Sequence, residues 1–350
     1  MAGDPFRVGL TPERYHGAPA EWDDFAAGQE GYTHFHRLAW KPLIEELFGH
    51  ECLYLAARGD ERRIDAILPL VRVRSRIFGH FLVSMPFLNY GGPLGSAEGI
   101  RLLAEEAVRE AHQSGAELLE LRSPRLLPLE LPVSHRKITV LLDLPTDPDS
   151  LFQSFSSKLR SQIRRPAKEG VTVRFGVDQV DPFFEVFSRH MRDLGTPTLP
   201  RGLFRIIAER FPADAWFGCA WLDSLPIACG AGFRWGEEFE LTWASALATH
   251  NTIAPNMGLY WAFMERAIAA GVRRFNFGRC TPGGGTHRFK RQWGSRDEAL
   301  WWYQWTPNGI GDAATPSPEQ GKFAWGPRLW RHLPLGLSRA LGPRIVRFIP

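Results

Sequence analysis

One order of elements occurs twice in this chain, and that duplication limits what it can fold into. The stretch "CLYLAARGDERRIDAILPLVRV" sets two β-rich runs about a polar Gly-Asp turn, and "WFGCAWLDSLPIACGAGFRW" sets two more about Asp223-Ser224. Each reads as a hairpin. Further on in each half comes an amphipathic helix, then a glycine, then a strand: "LLAEEAVREAHQSGAELLELRSP" ending at Pro124, and "LYWAFMERAIAAGVRRFNFGRCTP" ending at Pro282. Gly115 and Gly271 follow the last helical turn, where a left-handed backbone favours glycine. The repeat predicts two similar α/β domains with mixed sheets (α+β in character), packed as a pseudo-symmetric pair with a site between or beside them. The expected division is 1–133 for the first domain, 134–306 for the second, and 307–350 for a linker and basic tail.

With 350 residues, 44% of them apolar, the chain can fill two cores. A net charge of +4 is mild, so an anionic partner has to be met by local clusters and not by a global field. The start "MAGDPFRVGL" has neither a basic n-region nor an apolar h-region, and nowhere do about 18 apolar residues run together, so the expectation is a cytoplasmic protein. Cys52, Cys219, Cys229 and Cys280 form no C-x-x-C pair, which argues against a zinc knuckle or disulfide framework. No metal is expected.

Cations cluster in three places. In "DPDSLFQSFSSKLRSQIRRPAKEG" a helix ended by Pro166 and Gly170 puts Leu151, Phe152, Phe155, Leu159 and Ile163 on one face, and Lys158, Arg160, Arg164, Arg165 and Lys168 on the other. That face is either solvated or anion-binding. The stretch "RRFNFGRCTPGGGTHRFKRQWG" fails as a P-loop because Gly284 stands where the lysine belongs, and its glycines lie too far past the strand for a dinucleotide fingerprint. The tail, "KFAWGPRLWRHLPLGLSRALGPRIVRFIP", interleaves arginines with bulky apolar residues and has no acid. It suits either an interfacial segment or a strap over a domain groove. In "MRDLGTPTLP", Arg192 either caps a helix or reaches an anionic acceptor, and "SMPFLNYGGPLGS" shapes a cleft wall or turns the chain.

The ordered set "KLRSQIRRPAKEGVTV", "RHMRDLGTPTLP", "WASALATHNTIAPNMGLYWAFMERAIAAG" and "FNFGRCTPGGGTHRFKRQWG" resembles the FemAB family of acyltransferases, most of all the branch that accompanies PEP-CTERM and exosortase systems in exopolysaccharide-producing bacteria. The likeness runs from about Cys52 to Trp305. It implies tandem GNAT-like domains and transfer of an aminoacyl or acyl group to an amine. The donor is then a co-substrate, aminoacyl-tRNA or acyl-CoA, and the partner an anionic envelope-precursor or polysaccharide acceptor, with no role for DNA. The long charged helical hairpin that some relatives carry for tRNA is missing.

Such chemistry needs a neutral amine held against the carbonyl carbon and fixed donors for the oxyanion, and it needs no serine or cysteine nucleophile. The glycines let the chain leave the strand Arg273–Phe277 sharply, and Phe289 and Trp293, four apart, anchor a turn from which Arg288, Lys290 and Arg291 project. By the resemblance, the family's F-K-x-x-[FW]-G motif falls on Phe289, Lys290, Trp293 and Gly294, which puts Lys290 at an acceptor phosphate or the developing oxyanion. A surface cation beside a structural turn is the alternative. His287 suits proton removal from the amine, its ordinary pKa lying near 6.5. Arg160, Arg164, Arg192, Trp243, Asn256, Tyr260, Arg279 and Arg288 complete the expected substrate-binding set. In "ALATHNTIAPNMGLYW" the glycine pattern that cradles the pyrophosphate of coenzyme A is absent, and Asn251 or Asn256 explains itself as a helix cap with no ligand. Two other readings stand beside the transferase: an acyl-CoA-dependent GNAT N-acetyltransferase, and a non-catalytic paired module binding an anionic glycolipid or polysaccharide.

Overall fold

The computed structural model describes residues 9–309 and 326–349. Residues 1–8, which begin the stretch searched for a leader, and most of the expected linker lie outside them. The chain divides into two units. Among the described residues, 9–135, 299–309 and 348–349 form the first, and 136–298 with 326–347 the second.

The first unit contains β1 (Thr11–Arg14), α1 (Pro19–Ala27), α2 (Trp40–Phe48), β2 (Glu51–Cys52), β3 (Leu55–Arg58), β4 (Ile64–Leu68), β5 (Val71–Ser75), β6 (Gly79–Val83), β7 (Leu94–Gly95), α3 (Ala97–Ser114), β8 (Leu118–Ser123) and β9 (Val133–Ser134). The second contains β10 (Ile138–Asp143), α4 (Pro148–Ser154), α5 (Ser157–Lys168), β11 (Val171–Phe175), α6 (Val180–Leu194), α7 (Arg201–Arg210), β12 (Ala215–Leu222), β13 (Leu225–Trp235), β14 (Glu238–Ala246), α8 (Pro255–Ala269), β15 (Arg274–Cys280), α9 (Gly285–Arg291) and β16 (Arg296–Ala299). The chain then returns to the first unit as β17 (Trp301–Trp305), a strand that the sequence reading had assigned to the second domain, and ends in α10 (Gly326–Trp330) and α11 (Leu335–Val346) of the second.

The repeat read from sequence is visible in the pairing. In the first unit β6 and β8 run parallel through Phe81↔Leu118, Leu82↔Leu119 and Val83↔Glu120, joined by α3. In the second, β14 and β15 run parallel through Glu238↔Arg274, Phe239↔Phe275 and Glu240↔Asn276, joined by α8. After both helices the chain turns at a left-handed glycine, Gly115 at φ 69° and Gly271 at φ 76°, as the sequence pattern requires. The strand order of the second sheet is β11-β12-β13-β14-β15-β10-β16. One face is covered by α8, which buries Met257, Leu259, Phe263, Met264 and Ala267, and by Leu159 and Ile163 of α5. On the other face, Phe183 and Phe187 of α6 and Phe204 of α7 stack together over Phe217 and Trp243.

Two local expectations are corrected. The helix expected through residue 170 is broken at Phe155, whose extended backbone ends α4, and Ser156 caps α5 by accepting the Leu159 N–H at 3.3 Å. Pro166 lies inside α5 instead of ending it, and there it packs on α8: a Cβ on Gly258 would stand 3.2 Å from the Pro166 ring. The loop after β6, read as a cleft wall or a turn, is buried from Ser84 to Pro86 and from Leu88 to Leu94. Gly91 and Gly92 donate to the Arg122 carbonyl at 3.1 and 2.7 Å, and the wholly buried Arg122 and Glu120 pair at 2.8 Å, with Gln304 donating to the other Glu120 oxygen.

The tail is a strap on one side. Ser338 and Gly342 of α11 are buried against α6 and its following loop, and a Cβ on Gly342 would meet the Thr198 backbone nitrogen at 2.8 Å. Arg339 pairs with Glu185 at 2.6 Å and donates to Ser188 at 2.9 Å. Among the described residues no helix is long and apolar enough to cross a membrane. A chain ended at Pro316 therefore exposes the α6 face that the tail covers, and its thermal midpoint is expected to fall by several degrees, read by circular dichroism.

His36 supplies a second test of the fold. It is fully buried, its Nδ1 accepts the Thr33 N–H at 3.1 Å and its Nε2 donates to the Gly92 carbonyl at 2.9 Å. Burial pulls its pKa from 6.5 to about 4. Between those values the unfolded chain takes up a proton that the folded chain refuses, so stability falls as pH drops through that window, by roughly 3 kcal/mol at most. His36→Gln is expected to flatten the fall, measured as the difference in urea midpoints between the two proteins at neutral and mildly acid pH.

Candidate active site

The site is built on a parallel pair of strands that part. β14 and β15 are paired only through Glu240 and Asn276; β14 continues to Ala246, while β15 continues to Cys280 along β10. Bulges fall on both strands at that point. Opposite β13, Leu241 and Thr242 face the single residue Gly232, where a Cβ would stand 2.0 Å from the Glu240 carbonyl oxygen. Opposite β10, Phe277 and Gly278 face the single residue Val140, and Gly278 is left-handed at φ 71°. The carboxyl ends of the two strands thus diverge into a wedge, with the first turn of α8 following the end of β14.

The glycine run closes the other side. Gly283 is left-handed at φ 76° and Gly284 donates to the Thr281 carbonyl at 3.3 Å, so the chain reverses directly after β15 and α9 runs back over its end. Trp293, fully buried between Tyr260 and Phe155, fixes the far end of that turn. Lys290 is thereby carried inward instead of projecting: it is 3% exposed, and its Nζ donates to the carbonyls of Gly278 at 2.6 Å and Arg279 at 3.0 Å. Successive carbonyls of a regular strand point opposite ways. The left-handed Gly278 lets two in a row meet one ammonium. The surface-cation alternative is removed by this burial.

Beside the lysine lies a polar strip that sequence reasoning missed. Glu240 is completely buried and accepts from the Thr242 hydroxyl at 2.9 Å. Asn276 donates to Glu238 at 2.8 Å and accepts from Thr139 at 2.7 Å and from the Gly278 N–H at 2.8 Å. The available signal was the alternation in "EEFELTW", whose Phe239 and Leu241 face α8 and whose acids therefore turn to the opposite face of the sheet. Burial raises the pKa of Glu238. Burial also draws the Lys290 ammonium from 10.5 down to about 8, opposed by the negative charges of Cys280 and Glu240 when ionised.

The other expected residues divide. Tyr260 lies at the wedge, stacked on Phe277 at 5.8 Å and edge-on to Phe289 at 4.9 Å. Arg279 contributes its carbonyl. Asn256 is in the first turn of α8; it makes no cap, since Ala254 holds that position, and its Oδ1 is buried without a hydrogen bond. His287 accepts the Gly283 N–H at Nδ1, 2.9 Å, and donates from Nε2 to Asp297, 2.9 Å. Both ring nitrogens are engaged in bracing the loop, as is Arg288, which donates to the Gly283 carbonyl at 2.8 Å. Removing a proton from an amine would first require His287 to give up one of those bonds. Arg160 ties α4 to α5 through the Gln153 and Phe155 carbonyls, and Arg164 sits 4.7 Å over the Phe152 ring. Arg192 is turned to the tail, donating to the Leu333 carbonyl at 3.2 Å. Trp243 is directed by the bulge to the opposite face of the sheet from Tyr260, against Phe204 at 5.4 Å. Cys280 is buried, which raises its thiol pKa and makes it a poor nucleophile.

The fold around this site agrees with what the chain is similar to. Residues 153–291 match the acetyltransferase (GNAT) domain family. Among solved structures, FemX superposes with a TM-score of 0.65 at 14% identity over 83% of this chain and 97% of its own. The C-terminal domain of a protein assigned as a lysylphosphatidylglycerol synthetase from Agrobacterium fabrum gives 0.56 at 13% identity, over 81% and 89% of the two chains. A tandem GNAT protein from the clavulanic acid biosynthesis pathway gives 0.50 at 13%, over 88% and 99%. No curated protein matches the chain. The fold is a mixed α/β, tandem GNAT-like architecture, and the second unit carries the GNAT domain.

The buried lysine makes a titration test. Between pH 8 and 10.5 the unfolded chain holds a proton on Lys290 that the folded chain has released. Stability relative to Lys290→Met should therefore rise as pH rises through that window, by about 3 kcal/mol at most, in paired denaturant titrations. A difference independent of pH would place the ammonium in water. Gly278→Ala, forced to a left-handed φ beneath that ammonium, is expected to cost about 1–2 kcal/mol in the same measurement.

Proposed function

We propose that this chain is a FemAB-like N-acyltransferase that moves an aminoacyl or acyl group from its ester or thioester to an amine on a cell-envelope or exopolysaccharide-related acceptor. The observation that carries the reading is the wedge where β14 and β15 part, with the Lys290 ammonium fixed at its edge. An amine attacks a carbonyl without help from an enzyme nucleophile, but the oxyanion it creates needs donors already in place. An ammonium has three donors. The Gly278 and Arg279 carbonyls take two and hold the group still, which leaves one for an oxyanion or an acceptor phosphate. Tyr260 and Asn256 at the start of α8 form the other wall, and the unsatisfied Asn256 Oδ1 suits an incoming N–H.

For the donor, the exposed Lys158, Arg164, Arg165 and Lys168 on α5 favour a phosphate-rich molecule, aminoacyl-tRNA. The match to the GNAT acetyltransferase domain favours acyl-CoA as the second reading. Against it, α8 begins at the left-handed Ala254 and at Pro255, which has no N–H to give a pyrophosphate. Parallel transfer assays with aminoacyl-tRNA and acyl-CoA decide between them.

Lys290→Ala is expected to lower kcat by on the order of 10²-fold with KM little changed, since the donor acts on charge that develops during attack. Wild-type turnover in that variant overturns the assignment. Reversing Lys158 and Arg165 to glutamate is expected to weaken aminoacyl-tRNA binding strongly at low salt and much less at high salt; equal affinity at every ionic strength removes α5 from the donor site.

A further inference from the structure

Of the large apolar side chains exposed among the described residues, three lie on α6, α10 and α11, the last two both packed on α6: Leu194 at 49%, Leu329 at 60% and Leu337 at 45%. Arginine side chains and close backbone packing tie these elements together. Arg331 donates to the Leu194 carbonyl at 3.3 Å, Arg192 donates to the Leu333 carbonyl at 3.2 Å, and Gly195 lies so close to Pro327 that a Cβ would stand 2.3 Å from its carbonyl oxygen. α11 is two-faced. Ser338 and Gly342 turn inward on α6, whereas Leu337, Ala340, Leu341 and Arg344, at i, i+3, i+4 and i+7, form the outward stripe.

Charge says what would cover it. Residues 326–349 contain five arginines and no acid. Arg339 is matched by Glu185, but Arg328 and Arg344 are exposed and have no ion pair among the described residues. A second copy seated on this face by two-fold symmetry would bring arginine against arginine. We propose that the outward face of α10 and α11, with Leu194, docks on an anionic phospholipid surface, the leucines entering the headgroup boundary and the free arginines meeting lipid phosphates. Short apolar pieces of this kind lie on a bilayer and do not span it. This goes beyond the acyl-transfer reading, because it requires no turnover.

The test uses the full chain and sedimentation with vesicles, of phosphatidylcholine alone or mixed with phosphatidylglycerol. Binding is expected to the mixed vesicles, to be reversed by salt, and to be weak on phosphatidylcholine. Each cation near an anionic leaflet is worth roughly fivefold in partitioning, so Arg328→Gln with Arg344→Gln should lose about 25-fold. Leu329→Ser with Leu337→Ser should lose about tenfold and leave the melting curve unchanged, since both side chains are exposed. Equal binding to the two vesicle types, or full binding by both paired variants, overturns the proposal. Loss of binding on Lys158→Gln with Arg165→Gln, and not on the tail variants, would also overturn it by moving the membrane face to α5.

Discussion

The candidate site depends on a parallel ladder that stops after three pairs. Had β14 and β15 stayed in register to their ends, the Gly278 and Arg279 region would have been covered by a neighbouring strand, with no edge for a side chain to reach. The bulges at Leu241–Thr242 and at Phe277–Gly278 prevent that, each within two residues of the last pair, Glu240 and Asn276. A bulge adds a residue and increases local twist, so two bulges at the same level separate the strands. The α8 face holds the arrangement rigid. Phe239, Phe275 and Phe277 sit under Tyr260 and Phe263, so the wedge opens from a packed base.

The duplicated units put the same ladder to different uses. In the first, the parallel pairs end at Val83 and Glu120, and the space beyond is filled by the chain's own loop: Ser84 bonds to the Glu120 carbonyl and receives the Arg122 N–H, and Gly91 and Gly92 bond to the Arg122 carbonyl. The left-handed Met85 and Phe87 show the backbone strain that this plug costs. In the second unit nothing of the kind follows β14; the chain proceeds through a short 3₁₀ stretch, Ala248–Ile253, to α8. One wedge is sealed by a buried ion pair and a loop, and the other keeps a buried ammonium and an unsatisfied Asn256 oxygen. The family match over residues 153–291 falls on the second.

Much of this was legible in the sequence. The repeated hairpin, helix and strand gave the two units because helical and strand periods differ and glycine punctuates both; Gly115 and Gly271 stand where the pattern puts them. The role of Gly283–Gly285 in returning Lys290 to the end of β15 was also readable, since the turn is local. What escaped was set by pairing between distant strands. The family resemblance put Trp243 with Tyr260 in one substrate-binding set, and the bulge against Gly232, invisible without its partner strand, sends it to the other face. Lys290 read as projecting because nothing in "HRFKRQWG" announces that two carbonyls twelve and eleven residues earlier will bind it. Arg192 stayed open between a helix cap and an anionic acceptor because its partner, Leu333, lies in a tail 141 residues away.

The cations then separate by the work they are placed to do. Those on α5 stand in water, where each acts weakly and at long range and is dimmed by salt; such charges can gather a polyanion but cannot choose the geometry of a reaction. Lys290 is the opposite case. It is desolvated at a cost visible in its lowered pKa, pinned by two carbonyls, and influenced by the buried Glu240. In that low-dielectric setting one fixed N–H acts far more strongly on a nearby developing charge than a mobile surface lysine does, and it pays no reorganisation when the charge appears. Burying an ammonium is unfavourable for the fold, and packing alone would be better served by methionine or leucine. A lysine buried in this position, beside a glycine held left-handed, is the strongest physical reason to look for chemistry at the end of β15.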